Sequence, residues 1–126
     1  MDRSVISTER APGAIGPYSQ AIAAGGLIFV SGQLPIDPAT GELVSGDIAA
    51  MTRQIFRNIE AVLAAAGSSL DKIVKTTVFL ADLGDFQAMN SAYGEFFTQN
   101  PPARSTVQVA RLPRDARIEI EVVALA

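Results

Sequence analysis

The sequence predicts an α+β fold, a single domain over residues 1–126 in which two helices pack on one face of a mixed β-sheet. Three observations predict it. Period-two segments rich in β-branched residues lie toward both ends, two segments between them carry apolar residues three and four apart, and glycine- and proline-rich punctuation separates them.

Ser4 to Thr8 reads as a short edge strand. The segment Ala11-Pro12-Gly13-Ala14-Ile15-Gly16-Pro17 is then an ordered but irregular loop, left by Tyr18-Ser19-Gln20. Gln20 to Ala24 and Leu27 to Ser31 are short apolar strands joined by Gly25-Gly26, the two-residue spacing of a tight hairpin. Ser31-Gly32-Gln33 ends the second strand, and Pro35 to Glu42 is a loop rich in turn formers. From Asp47 to Ala66 the positions Ile48, Met51, Ile55, Ile59, Val62, Leu63 and Ala66 form one helical stripe, closed by Gly67. Ile73 to Leu80 is a strand with apolar residues on both faces. Asp82 or Asp85 caps a second helix that buries Phe86, Met89, Tyr93, Phe96 and Phe97 and ends by Asn100-Pro101.

The last two strands carry the candidate chemistry. Alternation in Pro101 to Val109 places Arg104, Thr106 and Gln108 on one face, and in Arg117 to Val123 it sets Glu119 and Glu121 opposite Ile118, Ile120 and Val122. With Ala110 to Ala116 as a loop, these strands are expected to pair as an antiparallel hairpin with Arg104 and Glu119 on the same side. That pairing is either a cross-strand ion pair on a wet face or the heart of a site. Leu27 to Val30 and Ile73 to Phe79 place apolar groups on both sheet faces, yet two helices cover only one. A symmetric oligomer is therefore expected to cover the other.

Composition narrows the chemistry. The 126 residues contain no cysteine and no histidine, which excludes disulfides, thiolate or imidazole metal sites, cysteine nucleophiles and Ser-His arrangements. A net charge of -3, with only two lysines among ten basic residues, leaves no electrostatic footprint for nucleic acid. Arg111, Arg114 and Arg117 form the densest basic cluster and are expected to decorate a loop. No apolar leader or membrane-length run is present, so a soluble, cytoplasmic protein without membrane association is expected.

Gly16-Pro17-Tyr18-Ser19-Gln20, Ser31-Gly32-Gln33, Lys75-Thr76-Thr77-Val78-Phe79-Leu80, Pro102-Ala103-Arg104-Ser105, Arg111-Leu112-Pro113 and Ile118-Glu119-Ile120-Glu121, in this order, resemble the RidA family, also called YjgF or L-PSP. The resemblance covers nearly the whole length. It implies a chorismate-mutase-like fold, a homotrimer, and a cofactor-free, metal-free enamine/imine deaminase with sites between subunits. Implied substrates are 2-aminoacrylate, 2-iminopropanoate and 2-iminobutanoate, products of PLP-dependent dehydratases, hydrolysed to 2-oxo acids and ammonia.

The resemblance further implies that Arg104 holds the substrate carboxylate through two parallel hydrogen bonds and that Glu119 positions or activates water. A base near that guanidinium is expected to stay ionised. Tyr18 resembles the aromatic residue covering the substrate, Ser31 and Gly32 resemble cleft-rim positions, and Asn90 either bonds near the ligand or faces solvent. Thr106 stands where several family members carry cysteine. Two other readings remain: a non-catalytic module for small carboxylates or a partner enzyme, and RNA cleavage.

Overall fold

In the computed structural model, which describes residues 2–126, the strands and α-helices follow in the order β1 (Arg3–Ile6), β2 (Ala21–Ala24), β3 (Leu27–Gln33), β4 (Ile36–Asp37), β5 (Glu42–Leu43), α1 (Ile48–Ala65), β6 (Ile73–Leu80), α2 (Phe86–Gly94), β7 (Ala103–Gln108) and β8 (Ile118–Leu125). Six strands make one sheet in the order β1-β2-β3-β8-β6-β7, and β4 with β5 forms a small separate ribbon. All neighbours in the large sheet are antiparallel except β6 and β7.

Local chemistry accounts for most of these elements. Gly25 and Gly26 both take positive φ, 61° and 78°, as the two-residue turn between β2 and β3 requires. The Asp47 side chain accepts a hydrogen bond from the Ala50 backbone N–H at 2.9 Å and so caps α1. One face of α1 then buries Ile48, Ile55, Phe56, Ile59, Val62 and Leu63 against the sheet. α2 ends at Gly94, earlier than Asn100-Pro101 suggests, because glycine is a poor helix residue and the next aromatic pair has packing of its own. Phe96 stacks on Phe56 at 4.7 Å between ring centroids, and Phe97 meets the same ring edge-on at 5.4 Å.

The expected hairpin between the Arg104 and Glu119 strands does not form. β8 runs between β3 and β6, while β7 lies parallel to β6 at the sheet edge. The reason is burial. Ile118, Ile120, Val122 and Ala124 are all buried, so β8 is best placed in the centre with a ladder on each side, whereas β7 is polar enough to sit at an edge. Register follows: Arg104 pairs with Thr76, and Glu119 with Phe79, its odd-numbered neighbour in alternation. Arg104 therefore stands on the face covered by the helices and Glu119 on the opposite one, correcting the same-side expectation.

The open face keeps the apolar character anticipated for it. Phe29, Val107 and Leu125 are each more than two-fifths exposed there, interleaved with Glu119 and Glu121. Among the described residues no helix is long and apolar enough to cross a membrane. Phe56 is fully buried and joins α1 to the aromatic group of Tyr93, Phe96 and Phe97. Phe56→Ala is expected to cost about 3–5 kcal/mol of unfolding free energy. Urea unfolding at fixed protein concentration measures this, and a loss below about 1 kcal/mol would mean that the aromatic group re-closes around the gap.

Candidate functional site

The Arg104 guanidinium is held by three groups from α2. Its Nη1 donates to Asn90 Oδ1 at 2.8 Å, and its carbon lies 4.6 Å from the Tyr93 ring centroid and 5.5 Å from that of Phe86. These residues are three and four apart on the helix, so they present one face to β7. The Tyr93 hydroxyl is paired with Thr76 Oγ1 at 2.7 Å, which fixes the ring from below. Burial pushes the Tyr93 phenol up, against the Thr76 hydrogen bond and the Arg104 charge, so it stays neutral. Thr106, two residues along the strand, holds a buried Oγ1 with no hydrogen-bond partner among the described residues. No acidic group of the same chain pairs with Arg104 among those residues. Most of its donors remain available.

Across the sheet lies a cavity of about 530 Å³, with Tyr18, Ser31, Gly32, Arg114, Glu119 and Glu121 among its lining residues. Its floor is a β-bulge in β3. The register shifts between Val30 and Gln33, so that Ser31 and Gly32 together face the single Glu121. Ser31 is pinned twice, its N–H donating to Gln20 O at 3.0 Å and its Oγ to Ser19 O at 2.6 Å. Gln20 clamps the proline-glycine loop: Nε2 donates to Thr8 O at 3.0 Å and Pro12 O at 2.8 Å, while Oε1 accepts from Thr8 N–H at 2.7 Å. That clamp positions Tyr18, which is half exposed at the cavity mouth and whose hydroxyl accepts from the Ile15 N–H at 3.4 Å. The opposite wall is tied to α1 by buried Asn58, whose Nδ2 donates to Ile36 O at 2.9 Å.

Glu119 has no cation partner in its own chain among the described residues. Burial, and after it the like charge of Glu121, push its pKa up. The expectation that Arg104 keeps it ionised therefore does not hold within one chain, where the sheet stands between them. Of the sequence-derived candidates, Tyr18, Ser31, Gly32 and Glu119 share the cavity, and Arg104, Asn90 and Thr106 lie together on the helix-covered side.

Sequence reading assigned Tyr93 and Phe86 only to the core and missed their hold on Arg104, since nothing local links α2 to β7. It also missed Gln20, Asn58 and Arg114. Asn58 did leave a signal: it is a polar residue three positions from Ile55, inside the apolar stripe.

A protein-family profile described as Endoribonuclease L-PSP matches residues 8–126. The chain is 51% identical over 123 residues to the human 2-iminobutanoate/2-iminopropanoate deaminase, covering 98% of this chain and 90% of the human one. It superposes on a Rid-family protein of Yersinia pestis with a TM-score of 0.96 and 51% identity, covering 99% and 100% of the two chains. Escherichia coli TdcF, solved with bound serine, gives a TM-score of 0.92 and 46% identity, with 98% of each chain covered.

The raised Glu119 pKa means that the folded chain holds a proton there more tightly than the unfolded one. The contribution of this group to stability therefore falls as pH rises from the usual carboxylate range through the folded value. Glu119→Gln is expected to remove that slope in pH-dependent urea unfolding. In a carboxyl-carbon NMR titration, Glu121→Gln is expected to lower the Glu119 pKa, and an unchanged value would assign the shift to burial alone.

Proposed function

Because the chain belongs to the L-PSP (RidA) family, we propose that it hydrolyses small 2-imino acids and their enamine tautomers to 2-oxo acids and ammonia. The observation that carries this reading is the division of charges. A guanidinium without an acid partner is set rigidly at an edge strand, and a carboxyl group without a cation partner sits in a cavity on the opposite face. Each lacks what the other supplies. A second copy, with its β7 edge against the first copy's cavity, brings Arg104 of one chain to Glu119 of another. Three copies around an axis satisfy every edge and every cavity, and they cover the apolar open face.

In such a cleft two of the available guanidinium donors hold the substrate carboxylate in parallel, with Asn90 and the Tyr93 ring fixing their plane. Glu119 accepts a proton from water as its oxygen adds to the C=N carbon, and the proton passes to the nitrogen. The carboxylate then takes the adduct's hydroxyl proton and passes it to the amino group, the C=O bond forms as the C–N bond breaks, and ammonia leaves with a 2-oxo acid. An imine carbon is already electrophilic, so orientation and one acid/base group suffice, the latter worth roughly 10²–10⁴ in rate. Burial raises the Glu119 pKa in the single chain and a facing guanidinium opposes that rise, which keeps the carboxylate available to take a proton from water. Tyr18 closes the mouth of the cavity. By its family resemblance, such substrates come from PLP-dependent dehydratases acting on hydroxy-amino acids.

RNA cleavage, which the family description names, has less support. Arg111 is paired with Asp115, Arg114 with Glu42 and Arg117 with Asp85, so the basic cluster is neutralised within its own surface. A non-catalytic carboxylate-binding role uses the same cleft and differs only in turnover.

The test is release of 2-oxo acid from a dehydratase-generated intermediate. Arg104→Ala and Glu119→Gln are each expected to abolish acceleration, with Arg104→Lys restoring little. Mixing the two inactive variants during refolding is expected to regenerate intact clefts at roughly a quarter of sites if the halves come from different chains. No recovery would confine both groups to one chain, and full activity of Arg104→Ala would remove the proposed site. Light scattering is expected to return about three times the 13.2 kDa chain mass.

A further inference from the structure

We propose that Gly32 is a positioning residue for Glu119: its missing side chain leaves the gap in β3 into which the Glu119 carboxyl group folds, and this gap sets where that group stands in the cavity. The inference rests on the reading of Glu119 as the group that activates water.

Three observations carry it. A Cβ built on Gly32 would lie 2.8 Å from Glu119 Cδ and 3.2 Å from Cγ and would overlap Oε2 outright, and these are its three nearest atoms. The φ of Gly32 is not among the positive values, unlike those of Gly25, Gly26, Gly41, Gly46 and Gly67. Backbone conformation therefore does not call for glycine at this position, whereas the Glu119 side chain does. Third, the strand has no freedom to retreat, because Ser31 beside it is tied to Gln20 O and Ser19 O within the bulge.

An added methyl is thus resolved by movement of the flexible Glu119 side chain. The fold survives, but the carboxyl group is lifted from its bed into the open cavity. Two consequences follow that a purely structural glycine would not produce. The carboxyl group changes its burial and its distance from the charges around it, so its pKa moves. A displacement of about 1 Å also costs up to roughly 10²-fold in rate.

The experiment uses the assembled protein and three variants: Gly32→Ala, Glu119→Ala and the double variant. Carboxyl-carbon NMR titration is expected to show the Glu119 pKa shifted in Gly32→Ala. The coupled assay is expected to show kcat/KM down by about tenfold to a hundredfold, with the acid limb of the pH profile moved in step with the titration. In the Glu119→Ala background, where no long side chain meets the added methyl, the same glycine change is expected to cost no unfolding stability. An unmoved Glu119 titration, or a stability loss from Gly32→Ala that is undiminished in that background, overturns the proposal. Wild-type activity in Glu119→Gln would instead overturn the water-activation reading, and the NMR shift would still decide what Gly32 does. Should Gly32→Ala fail to fold, recovery of the fold in Glu119→Ala supports the steric account and failure there overturns it.

Discussion

The insertion of β8 between β3 and β6 is the constraint on which the rest of the molecule depends. β3, α1 and β6 would form a simple crossover unit if β8 were absent. With it present, the last strand supplies the ladder for both neighbours and closes the core with Ile118, Ile120, Val122 and Ala124. The same strand turns Glu119 and Glu121 to the opposite face, where the bulge in β3 makes room for them. Because β8 occupies the centre, β7 is left at the edge. The sheet thus separates the cation from the carboxyl group by topology rather than by distance along the chain.

Each half of the proposed site is held for a different reason. Arg104 is held by weak interactions in number: one amide, two aromatic rings, and a tyrosine hydroxyl anchored on Thr76. The aromatic group beneath it is continuous with the packing of α1 on α2, so the orientation of the guanidinium draws on core packing rather than on a surface ion pair. The cavity half relies on backbone instead. Gln20 gathers the carbonyls of Thr8 and Pro12, Ser31 ties β3 to Ser19 and Gln20, and Asn58 holds the wall to α1. Buried amides that satisfy several backbone groups at once suit an irregular loop, which has no ladder of its own.

Much of this fold was legible in the sequence. The β2–β3 hairpin followed from Gly25-Gly26, the limits of α1 from Asp47 and Gly67, and β6 from its β-branched run, because each depends on a few neighbouring residues. The alternation that separates Arg104 and Thr106 from Val107, and Glu119 from Ile118, also held. What misled was the pairing of these two strands. Proximity in sequence favours a hairpin, but the placement of β8 was decided by how much apolar surface a central strand buries on its helix side. The same limit hid Tyr93 and Phe86 as the support of Arg104, and Gly32 as the bed of Glu119. In each case the partner lies on an element that no local pattern connects.

By itself the sequence determined which elements form and which side chains share a face, since turn stereochemistry, capping and side-chain periodicity act over a handful of residues. It also determined the chemical vocabulary, carboxyl, guanidinium and phenol without thiol or imidazole. Only the tertiary structure decided which face meets the helices and therefore on which side of the sheet each charge stands. Strand order is settled by the burial of the whole apolar surface at once, a quantity that no short stretch of the chain contains.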